Sequence, residues 1–125
     1  MIRRALVLFA HGARDPNWAA PFQRLQQMIA TQLPDVTVSL AFLELMVPKL
    51  PELVDQLVLD GCTHVTVVPV FLGQGGHVLR DLPILSAQVQ QRYPALDLKV
   101  VGAAGEDPAV LNAIAQYCIG NLIQN

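Results

Sequence analysis

Two stretches of the chain are apolar at nearly every position, two alternate, and the segments between them carry apolar residues at helical spacing. Residues 5–10 are apolar on both faces, the mark of a strand in the middle of a parallel sheet. Asp15 and Pro16 then read as the cap and first residue of a helix. Trp18, Phe22, Leu25, Ile29 and Leu33 line one side of it, and Pro34 ends it. Residues 36–42 alternate apolar with small or polar, which suits an edge strand with one wetter face. Pro48 and Pro51 fit only the first turn of the next helix. Its stripe is Leu50, Leu53, Val54, Leu57 and Val58, and Gly61 is its stop.

Residues 65–72 form the second strongly apolar strand. Pro69 cannot donate to a ladder, so it belongs near the C-terminal end of that strand, at a bulge. A glycine-rich loop follows at residues 73–77. A helix beginning near Asp81 or Pro83 carries Leu82, Leu85, Val89 and Tyr93 on one face, and Pro94 closes it. Residues 96–101 alternate with charges as a second edge strand. Asp107-Pro108 repeats the helix start, ahead of a stripe of Leu111, Ile114, Cys118 and Leu122. Strict alternation of strands and helices implies right-handed crossovers and a parallel sheet covered on both faces. Strands one and three look central and strands two and four look peripheral. The order 2-1-3-4 follows, a flavodoxin-like α/β half whose switch point lies between strands one and three.

The 125 residues fit one domain with one core. Apolar residues make up 53% and charged residues 14%, so some apolar surface is expected to lie under a partner subunit. The net charge is -2 and no basic stripe is present, which argues against nucleic acid. Arg3-Arg4 precedes an apolar run too short for a signal peptide or a membrane span. Cys62 and Cys118 lack metal-type spacing and read as buried free thiols of a cytoplasmic protein.

Three candidate side chains fall at the carboxyl ends of the predicted strands: His11 after the first, Glu44 after the second, His77 after the third. That is where open α/β sheets bind ligands. Neutral imidazoles are good ligands for divalent cobalt, iron, nickel and zinc. Two histidines and a carboxylate can hold such an ion and leave positions open. Glu44, in an apolar context, can ligate metal or accept protons. His64 falls at the opposite end of its strand and reads as structural. Gly73-Gln74-Gly75-Gly76 fits neither a P-loop nor a dinucleotide fingerprint, and reads as a loop that lets backbone or a flat ligand come close.

Several of these pieces occur together in one family. The chain resembles the small class II chelatases of the CbiX type, the sirohydrochlorin chelatases. The matching pieces are His11-Gly12-Ala13-Arg14-Asp15-Pro16, Phe42-Leu43-Glu44 with Pro48, Val68-Pro69-Val70-Phe71-Leu72, Gly75-Gly76-His77 and Asp81-Leu82-Pro83. The resemblance implies insertion of cobalt or iron into sirohydrochlorin, toward cobalamin or sirohaem, with no cofactor beyond the substrate metal. It makes His11 and His77 the metal pair and Glu44 a third catalytic member. Longer members carry two such domains around a cleft, so a homodimer is expected for a chain of half that length.

Metal insertion needs a loose metal carrier, a base for two pyrrole protons and a surface that bends the ring. Holding metal and ring together supplies proximity. Arg14 and Arg80 are the cations nearest in sequence to orient a carboxylate-rich tetrapyrrole, beside Gly75 and Gly76. Phe71, Leu72 and Val78 can supply an apolar floor or simply pack the core. Three rival readings remain. A non-catalytic metal or tetrapyrrole carrier would use the same histidines. A histidine phosphatase would want an arginine where Ala10 stands. A flavodoxin-like regulatory module would want an acidic pocket or a flavin phosphate loop.

Overall fold

The structure is a computed structural model describing residues 2–73 and 75–123. Strand β1 (Arg4–Ala10) is followed by a 3₁₀ turn (Pro16–Ala19) and helix α1 (Ala20–Gln32). Strand β2 (Thr37–Phe42), helix α2 (Leu50–Leu59) and strand β3 (His64–Pro69) come next. Helix α3 (Gly76–Arg92), strand β4 (Asp97–Val100), a second 3₁₀ turn (Ala104–Glu106) and helix α4 (Pro108–Ile123) complete the chain. The sheet is parallel throughout in the order β2-β1-β3-β4, as the apolar patterning requires.

Alternation along the strands sorts the core into two unequal halves. Ala5, Val7, Phe9, Ala41, Val65 and Val67 face α2 and α3, where they meet Leu50, Leu53, Val54, Leu57, Val78, Leu82 and Val89. Ala10 and Phe42 belong to the other face, with Ala19, Trp18 and Phe22. The rings of Trp18 and Phe22 lie 4.7 Å apart. No residue of α1 or α4 is fully buried. Far from the strands' carboxyl ends, Asp55 of α2 accepts from the Tyr93 hydroxyl and pairs with Arg92, tying α2 to α3. That hydrogen bond raises the phenol above its usual range.

Four expectations need correction. Asp15 does act as a cap, accepting from the Asn17 amide at 2.9 Å, but the element it caps is the 3₁₀ turn that holds Trp18. Strand β3 ends at Pro69, and its register with β1 runs without a bulge from Arg4↔His64 to Phe9↔Pro69. Val70 donates back to the Phe9 carbonyl at 2.7 Å, so by alternation the nitrogen of Pro69 faces the β4 side, past the last register pair of Val67 with Val100. Helix α3 starts at Gly76, capped by Gly75, rather than near Asp81 or Pro83; Pro83 lies inside it. Finally, the α4 stripe is not core: Leu111, Ile114 and Leu122 are exposed, as is Cys118. Only Cys62 is the buried free thiol expected of both.

Phe9 is 0% exposed at the centre of the larger core. Phe9→Ala should lower stability by about 3–5 kcal/mol through lost burial and a residual cavity. Met28→Ala, at a residue 60% exposed on α1, should stay within about 0.5 kcal/mol. Urea midpoints at constant slope would show the contrast.

Candidate functional site

The three candidate loops meet at the carboxyl end of the sheet because the β1–β2 ladder continues past the last paired residues. The Leu43 amide donates to the Ala10 carbonyl at 2.9 Å, and the Glu44 amide donates to the His11 carbonyl at 3.0 Å. This brings the backbones of His11-Gly12 and Glu44 together. Gly12 makes the approach possible: its φ is +93°, and a Cβ there would lie 1.8 Å from the Glu44 carbonyl oxygen. The chain then leaves Glu44 through Leu45 at φ +67° and a cis Val47–Pro48 bond.

The third loop joins through an aromatic contact. The His11 ring lies 4.7 Å from the Phe71 ring, tilted by 43°. Phe71 in turn holds the next loop, its carbonyl accepting from the Gly105 amide at 3.0 Å. A Cβ on Gly105 would meet the Leu72 backbone at 2.0 Å, so this junction is also closed by glycine. His77 sits not in the loop, as expected, but in the first turn of α3. There its Nε2 lies 3.1 Å from Oδ2 of Asp81, one turn further on. Asp81, read from sequence as a helix start, is thus a neighbour of the candidate residue His77, on the same helix.

The site is open. Glu44 and His77 are exposed and His11 is half-buried. Among the described residues no three His, Cys, Asp or Glu side chains are grouped closely enough to cage an ion. The loops therefore converge without closing a three-ligand shell. Leu45 and Val47 are exposed after Glu44, Leu72 is exposed after Phe71, and Leu79 is exposed near the start of α3. Of the expected floor, Leu72 is exposed, Phe71 is half-buried, and Val78 is core. Arg14 is exposed in the His11 loop. Arg80 is exposed on α3, its Nε 3.5 Å from Asp81 Oδ1. Gly75 and Gly76 open α3 with no side-chain cap, and a Cβ on either would meet nothing within 4 Å. Among the described residues no neighbour demands those glycines. Gln74 lies outside the described residues. His64 is remote, between Thr63 and Asp97 at the other end of β3, as expected.

Comparisons with known proteins point one way. The CbiX family profile matches residues 5–119. A sirohydrochlorin cobaltochelatase of Methanocaldococcus jannaschii is 30% identical over 89 residues, 71% of this chain and 62% of that protein. A sirohydrochlorin ferrochelatase of Bacillus subtilis is 26% identical over 117 residues, 90% of this chain and 43% of that protein. The chain thus spans roughly half of the curated relatives it matches. Among solved structures, a CbiX protein of Marinobacter aquaeolei described as a putative cobalamin biosynthesis protein superposes with a TM-score of 0.85 at 24% identity, covering 98% of this chain and 99% of that one. The chelatase SirB of B. subtilis subspecies spizizenii, solved with cobalt, gives 0.78 at 24% identity, covering 92% of this chain and 49% of that one. These likenesses establish the shared fold.

Gly12→Ala should force the Glu44 carbonyl away from the His11 loop, at a cost of about 1–3 kcal/mol from overlap and unfavourable φ. Chemical denaturation should register that loss, and amide exchange should quicken at Glu44 while the Phe9 amide stays protected.

Proposed function

Because the chain belongs to the CbiX family, we propose that it inserts a divalent metal, cobalt or iron, into sirohydrochlorin or a related tetrapyrrole, in cobalamin or sirohaem formation. The observation that carries this reading is the placement of two imidazoles, His11 and His77, after β1 and β3 at the switch point of the sheet. In this account the metal is a substrate, held by His11 and His77. Neutral nitrogen donors bind such ions well, and a shell of two side chains leaves positions for the incoming ring.

The ring is flat and apolar at its centre and anionic at its edge, and the mouth offers both characters. Leu45, Val47, Leu72 and Leu79 give exposed apolar surface. The uncapped start of α3 at Gly75 and Gly76 presents backbone amides to a carboxylate. Arg14 supplies an exposed cation, and Arg80, shared with Asp81, a second. The Glu44 amide donates to the His11 carbonyl, and its exposed carboxylate is available to accept a pyrrole proton.

A homodimer is part of the same proposal. Helix α4 contains no charged residue, yet Leu111, Ile114, Tyr117, Ile119, Leu122 and Ile123 are all exposed. A helix apolar on every side is normally buried. Beside it, at the functional end of the sheet, lies a cavity of about 460 Å³ lined by Val68, Val101, Ala103 and Val110. A second copy covering α4 buries apolar surface without desolvating a charge on that helix, while the cavity beside it also carries Glu106 and Asp107. A cytoplasmic setting accords with the two free thiols; no described helix is long and apolar enough to cross a membrane.

Two experiments test the proposal. Purified protein mixed with sirohydrochlorin and limiting cobalt or ferrous iron should change the macrocycle's absorbance faster than a protein-free control. His11→Ala and His77→Ala should each lose roughly 10²-fold or more of that rate with unchanged circular dichroism. Ring and metal binding without acceleration would make the protein a carrier instead. In sedimentation velocity the chain should run as a dimer, and Leu111→Glu with Ile114→Glu should raise its dissociation constant about tenfold or more. A wild-type monomer with full activity would remove the pairing.

A further inference from the structure

The geometry points to Asp81 as a positioning residue that selects one tautomer of His77 and leaves Nδ1 as the ring nitrogen that takes the metal. The inference deepens the proposed function and rests on its reading of His77 as a metal ligand. The two side chains share one face of α3, four residues apart. Nε2 of His77 lies 3.1 Å from Oδ2 of Asp81. The other carboxylate oxygen, Oδ1, lies 3.5 Å from Nε of Arg80. The carboxylate is thus engaged at both oxygens, and it is the more sheltered partner, 33% exposed against 56% for the imidazole.

The chemistry follows from what each group can do. A carboxylate only accepts, so the imidazole donates through Nε2. A neutral imidazole has a single N–H, so its free lone pair sits on Nδ1. A metal ion binds a lone pair and not an N–H, which makes Nδ1 the ligating atom. The carboxylate also orients the ring and strengthens it as a donor, as partners of metal-bound histidines commonly do. Asp81 need touch neither metal nor macrocycle; it acts through His77.

The other two histidines sharpen the assignment. His11 is held by the Phe71 ring at 4.7 Å, a contact that steers the plane without choosing a nitrogen. His64 has both nitrogens engaged, Nδ1 with the Thr63 hydroxyl at 2.8 Å and Nε2 with Asp97 at 3.5 Å, which leaves no lone pair for an ion. His77 alone of the three has one nitrogen tied to a carboxylate and the other without a recorded partner among the described residues.

The test reads the tautomer directly. The metal-free chain, labelled with ¹⁵N-histidine and held near about pH 8.5, where an unperturbed imidazole is neutral, would be examined by two- and three-bond ring correlations. His77→Gln assigns the signals. Wild-type His77 should show the proton on Nε2, and Asp81→Ala should return it to a mixture. Cobalt titrated into the same proteins and followed by visible absorption should bind about 10–100-fold more weakly to Asp81→Ala, with Asp81→Glu regaining much of the loss. A wild-type His77 protonated at Nδ1, or present as an even mixture, would overturn the inference without any variant having to fold. So would an Asp81→Ala protein with unchanged tautomer and cobalt affinity. If His77→Gln binds cobalt normally, the metal half fails together with the site reading, while the tautomer measurement still decides the Asp81 contact on its own.

Discussion

The functional end of this chain depends on the carbonyls of Ala10 and His11. They continue the β1 ladder beyond the strand by accepting from Leu43 and Glu44. That continuation needs two backbones closer than any side chain permits, and Gly12 supplies the gap at φ +93°. The His11 loop and the Glu44 loop are therefore extensions of the sheet, not free connections. A site built on strand ends inherits the precision of the core beneath it. Here that core is the layer where Phe9, Val7 and Val67 meet α2 and α3.

The same sheet explains why the molecule presents so much apolar surface. One face is sealed by α2 and α3, whose buried leucines and valines interdigitate with β1 and β3. The other face is only partly covered by α1, and α4 packs chiefly against the preceding 3₁₀ turn rather than across β3 and β4. A charge-free helix in that position is unfinished packing. The mouth opens beside this uncovered region, so closing the one with a second copy would also give the other a second wall.

Much of this architecture was legible in the residues, and the failures are instructive. Strand order could be read because residues 5–10 and 65–72 are apolar at nearly every position, while the β2 and β4 stretches alternate; in the structure β3 itself alternates between buried and half-buried positions. The strand ends a few residues before the apolar run does, since Val70, Phe71 and Leu72 continue that run but join no strand register beyond Phe9. The start of α3 was missed because Gly75 caps it with backbone alone, while Asp81 and Pro83 imitate a helix start from inside. That error hid the His77–Asp81 pair, which exists only once both residues are on one helix. The α4 stripe was correctly apolar, but periodicity says that a face is covered and not by what. His11, Glu44 and His77 could be nominated because strand ends converge at a switch point. Whether their side chains close on an ion is a matter of rotamers and ligand, which no periodicity encodes.

The central claim is that His11 and His77 share one metal at this mouth and leave its remaining positions open. X-ray absorption of the cobalt-loaded chain measures that shell directly. The account predicts two imidazole nitrogens per cobalt in the wild type, one in His77→Ala, and oxygen from solvent completing both shells. A wild-type shell with no imidazole, or one unchanged by His77→Ala, would contradict it.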